Sequence, residues 1–302
     1  MSVHANSTRI RRIAQGIHDL PTLPTVVAKI IELVDNPRTN AATLARLISS
    51  DPGLTARMLK MANSAYYGFP KRIGTINLAI VVLGFNTVRD LAVSASLVER
   101  ISLEAADNEL LGEFWEHSVG TAVAARMLQR LSPSRSAGEA FVAGLLHDIG
   151  RLVTARYLPD EFRRIQAKLD GSEAGLWELE REVLGMGHGE IGGLLCRHWN
   201  LPEALCEAIG AHHTPLERDE PDALTCILHL AEYVSLRSGR TPHMEGRLRG
   251  VAPGVADALG LRRNAQGETD LVWYLEKYQG ELQRAEAFRD LVLGRPPREE
   301  EA

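Results

Sequence analysis

Apolar residues recur along the chain at intervals of three and four, the spacing that lines one face of an α-helix. Val27, Ile30, Ile31 and Val34 show it first, with Pro24 at the helix start and Asn36-Pro37 as a stop. Thr43 to Ile48 predicts a second short helix, and Asp51 then offers a cap with Pro52 at the first helical position of a third, running to Asn63. Tyr66-Tyr67-Gly68-Phe69-Pro70 reads as a loop. Two more helices follow over Thr75 to Leu83 and Thr87 to Arg100, separated by Gly84-Phe85-Asn86. Longer helices are predicted over Glu113 to Leu131, Ala137 to Tyr157, Asp160 to Leu169, Glu173 to Leu184, Gly189 to Trp199, Pro202 to His212 and Ala223 to Arg237. A last one lies near Asp270 to Leu293. No run alternates between hairpin turns, so the expectation is all-α with no sheet.

The apolar pattern is interrupted between Ser102 and Asn108. That places an N-terminal helical module at 1–105, a helical core at 106–240, and a C-terminal extension and tail at 241–302. With 302 residues the chain is long enough for roughly two domains, each with its own core. Aromatic residues make up only 5%, which again favours helix over sandwich or barrel. The balance of 34 basic against 39 acidic residues, net −5, argues against a basic phosphate-neutralising surface as the organising feature, so no nucleic-acid partner is expected. The longest apolar run, Leu78 to Leu83, is far short of the roughly 20 residues that span a bilayer. Arg9, Arg11 and Arg12 are followed by no apolar stretch of the secretory kind, so a cytoplasmic protein without membrane contact is expected. Cys196, Cys206 and Cys226 form neither a metal knuckle nor a disulfide framework and read as small core residues.

The 10 histidines change the picture. His117, His147, His188 and His212 follow one another at intervals of 30, 41 and 24 residues, each about one helical hairpin. Delivering one ligand per helix into a bundle interior is how helical metal sites are built. His147-Asp148 follows the apolar stretch Phe141 to Leu146, which points to a buried location. A buried aspartate without a partner costs several kcal/mol, on the order of a broken ion pair. Two compensations are open: a hydrogen-bonded structural His-Asp pair, or a divalent ion such as Fe, Mn, Mg, Zn or Ni that both residues ligate. His213 is either a further ligand or the outward neighbour of His212. His229 and Glu232, three residues apart, share a helix face, although His229 beside Leu228 and Leu230 reads better as a satisfied core residue. His4, His18, His198 and His243 stand outside the pattern.

Across residues 15 to 240 the chain resembles the HDOD (HD-related output domain) proteins of bacterial signalling, a branch of the HD-domain superfamily. The resemblance rests on Leu20-Pro21-Thr22-Leu23-Pro24, Ser50-Asp51-Pro52-Gly53-Leu54-Thr55, Ala62-Asn63-Ser64-Ala65-Tyr66-Tyr67-Gly68, and Ile76 to Ala79 leading into Leu83-Gly84-Phe85. It continues through Trp115-Glu116-His117-Ser118, Gly144-Leu145-Leu146-His147-Asp148-Ile149-Gly150, Gly187-His188, and Trp199-Asn200-Leu201-Pro202 leading to His212-His213. What it implies is an all-α fold with an N-terminal helical subdomain packed on an HD-like helical core. It further implies metal ligation by His117, His147 and Asp148, with His188 and His212 or His213 as additional ligands for a second ion. The superfamily's late aspartate falls on Glu232, one methylene longer, and Gly150 is followed by Arg151 where HD-GYP phosphodiesterases have lysine. No Gly-Tyr-Pro segment follows His213; the residues are Thr214-Pro215-Leu216-Glu217-Arg218.

Two functions of different class follow. One is a signal-transduction module that keeps a metal-capable HD site and acts through signalling proteins or a small ligand, a nucleotide or cyclic dinucleotide. The alternative is a metal-dependent phosphohydrolase in which a metal-activated water attacks phosphorus, with His117, His147, Asp148, His188 and His212 as ligands, Asp148 central to the chemistry and Arg151 on a phosphate oxygen. For the first, the loop residues Tyr66, Tyr67 and Phe69, flanked by Lys71 and Arg72, form a candidate partner patch, or else a plug between the two modules. No organic cofactor is expected.

Overall fold

The computed structural model describes residues 12–18, 25–34, 40–64, 67, 69, 71–104, 108–133, 140–169, 174–217, 221–239 and 250–293. They fall into two compact units, one of residues 12–18 and 108–278, the other of residues 25–104 and 279–293. A short helix over residues 12–18 (α1) belongs to the first.

The second unit contains α2 (Thr25–Val34), α3 (Ala41–Ser49), α4 (Pro52–Ala62), α5 (Ile76–Leu83) and α6 (Phe85–Glu104). The cap read from the sequence is made: Asp51 Oδ1 accepts from the Leu54 N–H at 2.9 Å, with Pro52 opening α4. Asn40 and Thr75 cap α3 and α5 in the same way. Only Gly84, at φ 85°, separates α5 from α6, a shorter break than the three residues expected, because a left-handed glycine turns the chain in one step. Helices α2 and α4 pack on α6, and Ile30, Leu44, Ile48, Leu54, Met58 and Leu91 are fully buried between the elements.

The first unit is built on α7 (Asn108–Leu131), against which α8 (Ala140–Leu146) and α14 (Ala223–Leu236) both pack. Around them stand α9 (Ile149–Tyr157), α10 (Pro159–Leu169), α11 (Leu176–Leu184), α12 (His188–His198) and α13 (Glu203–Ala211), with α12 against both α9 and α13. Two predicted helices are corrected. The stretch Ala137 to Tyr157 is not continuous: the backbone leaves the helix at His147-Asp148, where Asp148 has φ −95° and ψ 6°, separating α8 from α9. Asp270 to Leu293 likewise divides at Ala285 into α16 (Leu271–Arg284) and α17 (Glu286–Val292). A further short helix, α15 (Val255–Ala258), was not anticipated; it buries Val255 and is followed by the fully buried Leu259. Among the described residues the only bridge pairing is Arg263 with Thr269, and no helix is long and apolar enough to cross a membrane. All three cysteines are buried and free.

Candidate metal centre

The site lies wholly in the first unit and is assembled by close helix contacts. A Cβ on Gly144 would stand 2.5 Å from the Ala122 Cα, so only glycine lets α8 lie this tightly on α7. That contact sets His147, just past α8, beside His117 of α7. The Nδ1–H of His147 donates to the Gly144 carbonyl at 2.9 Å, which leaves its Nε2 facing His117 Nε2 at 3.1 Å. The helix break at the doublet, rather than the 100° step of a continuous helix, brings His147 Nε2 and Asp148 Oδ1 to 3.4 Å of each other.

Asp148 is the hub. Its Oδ1 lies 3.0 Å from His188 Nε2 and 3.4 Å from His147 Nε2, and its Oδ2 accepts from Arg151 Nη1 at 3.2 Å and lies 3.8 Å from His117 Nε2. Gly150 permits this, since a Cβ there would collide with the His188 carbonyl at the start of α12. His188 is held from behind by Glu180 of α11, whose Oε2 accepts from both its backbone N–H (2.7 Å) and its Nδ1–H (2.6 Å). His212, at the end of α13, donates from Nδ1 to the Ile209 carbonyl at 2.7 Å. His213 also turns inward, with Nε2 2.9 Å from His188 Nε2. From α14, Glu232 Oε2 comes within 3.8 Å of His212 Nε2 and 3.9 Å of His213 Nδ1.

Three sets of ligand-type atoms each lie within 4.8 Å of one another: His117, His147 and Asp148; His188, His212 and His213; and Asp148, His212 and Glu232. Burial dominates their electrostatics. It pulls His117 down to about 3, helped by the neighbouring His147, and holds His147, His212 and His213 below the ordinary histidine value. Asp148 is pushed up by burial, but His147, His188 and Arg151 outweigh it and keep the carboxylate ionised. Burial also lowers His188, yet Glu180 and Asp148 reverse the effect and raise it to about 10. Glu232 is pushed up to about 8 by burial and by the charge of Asp148. His212 Nε2 is buried with no hydrogen-bond partner, and Asp148 Oδ1 faces His188 Nε2 at 3.0 Å. His147 and His212, kept neutral and tied through Nδ1 to backbone carbonyls, present Nε2 beside carboxylate oxygens, the kind of donor set that a divalent ion requires.

A cavity of about 330 Å³ opens onto this cluster. Its lining includes Asp148, Arg151, His188, His213 and Glu232 together with Trp177, Tyr233 and the Gly250–Pro253 loop. His229 also lines the cavity, with both nitrogens engaged: Nδ1–H donates to the His212 carbonyl at 2.7 Å, and Nε2 accepts from the Ala252 N–H at 3.0 Å. It is the satisfied structural residue expected and shares no ligand position with Glu232. Glu180 escaped the sequence reading. The available signal was an acidic residue on an apolar stripe, since Leu176, Leu179, Val183 and Leu184 are all buried on the same helix. Of the loop residues, Tyr66 lies outside the described residues, Tyr67 is half-buried, and Phe69 is 44% exposed in the second unit.

The HDOD domain family matches residues 20–215. A protein from Shewanella amazonensis SB2B, named as a proposed phosphohydrolase, has a crystal structure that is 27% identical with a TM-score of 0.71, covering 94% of this chain and 97% of that one. An HDOD domain protein of unknown function from Geobacter sulfurreducens shares the fold, with a TM-score of 0.76 at 24% identity over 96% of this chain and 99% of that one. A curated relative from Treponema pallidum (strain Nichols), itself uncharacterized, is 29% identical over 237 residues, 76% of this chain. The matched region spans 45% of the length of that relative.

Proposed function

The chain belongs to the HDOD domain family, and from that membership we propose that it is a regulatory module built round a divalent-metal centre whose adjoining cleft takes a phosphoester ligand. The observation that carries this reading is the buried His212 Nε2, which lacks a hydrogen-bond partner where six other ligand-type residues converge. His117, His147 and Asp148 would hold one ion, and His188, His212 and His213 a second, with Asp148 and Glu232 between the two sets. The nitrogen-rich donor set suits Fe, Mn, Zn or Ni; Mg²⁺, which prefers oxygen ligands, fits it least. When bound, such an ion supplies Lewis acidity toward a phosphoryl oxygen and lowers the pKa of water at the site. Burial keeps His117, His147, His212 and His213 neutral, so their lone pairs are available at neutral pH. Arg151, a permanent cation on the cavity wall, is placed to meet a phosphate oxygen while it pairs with Asp148. Phe69, with Lys71 and Arg72 exposed beside it, supports a contact with a signalling partner.

Hydrolysis of the bound phosphoester is the second reading, favoured by Arg151 lining the cavity beside the histidines and by the Shewanella neighbour. One experiment separates the two. Purified protein is analysed for bound metal and then offered phosphomonoesters, phosphodiesters and cyclic dinucleotides, alongside Asp148→Ala. Metal and ligand bound without turnover supports the regulatory module, and turnover abolished by Asp148→Ala supports the hydrolase. A folded protein that takes up no metal and stays functional in cells after Asp148→Ala sinks both.

A further inference from the structure

Glu180 stands outside the ligand set, yet it is only 3% exposed and lies among the apolar residues of α11. A carboxylate is costly to bury, and among the described residues this one is compensated by His188: its Oε2 accepts from both the backbone N–H and the Nδ1–H of that residue. Two bonds to one oxygen fix the imidazole in position and in ring orientation. They turn Nε2 toward Asp148 Oδ1 at 3.0 Å and His213 Nε2 at 2.9 Å. We infer that Glu180 is a positioning residue that keeps a proton on His188 Nδ1, presents Nε2 to the centre, and strengthens it as a donor through its negative charge. The inference rests on the reading of the cluster as a metal centre. A carboxylate that served only to tie α11 to the start of α12 would need the backbone bond alone.

Glu180→Gln and Glu180→Ala in the full-length chain separate these roles. Glutamine keeps the size and an accepting oxygen but removes the charge, whereas alanine removes both. Metal-free wild type and variants are titrated with Zn²⁺ by calorimetry, while ¹⁵N NMR follows the His188 ring and thermal melting reports the fold. Glu180→Gln is expected to stay folded, melting somewhat below the wild type, and to bind Zn²⁺ about 10- to 100-fold more weakly. Glu180→Ala is expected to lose the hydrogen-bonded Nδ1–H signal of His188 as well. Wild-type Zn²⁺ affinity in Glu180→Gln overturns the inference. A wild type that takes up no Zn²⁺ overturns the metal reading instead; the NMR measurement then decides on Glu180, and an unchanged Nδ1–H signal in Glu180→Ala overturns its role.

Discussion

The Nε2 atoms of His188 and His213 lie 2.9 Å apart beside the Asp148 carboxylate, an arrangement that only a shared cation or proton can hold together. Without metal that role falls to a proton on His188, which Glu180 and Asp148 hold up to about 10 against the lowering effect of burial. Metal and proton therefore compete for one position.

That competition sets the pH dependence of metal uptake. At neutral pH His188 (about 10) and Glu232 (about 8) each carry a proton that must leave before either ligates, whereas His117, His147, His212 and His213 carry none. Each displaced proton steepens the affinity by about tenfold per pH unit. Zn²⁺ affinity should rise about a hundredfold per unit below the Glu232 value if both residues ligate, and about tenfold if His188 does so alone. Calorimetry in buffers of different ionisation enthalpy counts the protons directly. A pH-independent affinity would remove both residues from the centre.

The same groups shape the stability of the metal-free protein. His117 falls from 6.5 to about 3, so the unfolded chain binds a proton that the folded chain refuses, and stability is lost as pH drops below 6.5. His147, His212 and His213 act in the same direction. On the alkaline side His188, raised from 6.5 to about 10, contributes stability that is fully present below 6.5 and lost as pH climbs through about 10. Glu232, raised from 4.5 to about 8, loses its contribution between those two values. On the acid side Glu232 opposes the lowered histidines, His229 among them, so stability rises toward neutrality from the acid side and declines above it. Urea midpoints measured with a chelator in acid, neutral and alkaline buffer should peak at the neutral point.

The elements that can be read in the sequence are those whose cause is local. Asp51 and Pro52 carry a cap and a helix start in their own chemistry, and the intervals between His117, His147, His188 and His212 need only helices of ordinary length. Features that depend on a partner distant in the chain stay hidden. The break at His147-Asp148 lies within an apolar run that reads as unbroken helix, and it becomes intelligible only once Gly150 is seen against the His188 carbonyl. Glu180 looks like one more charged residue until α11 buries it against His188. Whether His213 turned inward could not be decided from periodicity, since it lies in the turn after α13, where side-chain direction follows the turn and no helical repeat applies.

The glycines of the first unit give predictions of opposite sign. At Gly150 an added Cβ runs into the His188 carbonyl, so Gly150→Ala must push α12 from α9, costing roughly 1–3 kcal/mol as over-packing does and weakening Zn²⁺ binding with it. At Gly112, inside α7, a Cβ meets nothing within 4 Å. Gly112→Ala should therefore stabilise by about 0.5–1 kcal/mol through helix propensity and leave metal uptake unchanged. Chemical denaturation of both variants against wild type checks the pair, and equal effects would mean that the close approach at Gly150 is not what holds α12 in place.

His229 and His147 test whether ligation can be told apart from structural support. Both are histidines of the first unit with Nδ1–H on a carbonyl, but His147 turns Nε2 to the cluster while His229 spends it on the Ala252 N–H, tying the Gly250–Pro253 wall of the cavity to the His212 segment. His147→Ala should abolish Zn²⁺ binding at the His117–Asp148 set, and stability should change chiefly through that loss of metal. His229→Ala should leave the metal stoichiometry intact, lower stability by about 1–3 kcal/mol because the His212 carbonyl and Ala252 N–H lose their partner, and loosen the cavity wall. Hydrogen exchange at the Ala252 amide reads that loosening directly. If His229→Ala instead loses a metal equivalent with the Ala252 amide still protected, His229 belongs among the ligands and the geometry has been misassigned.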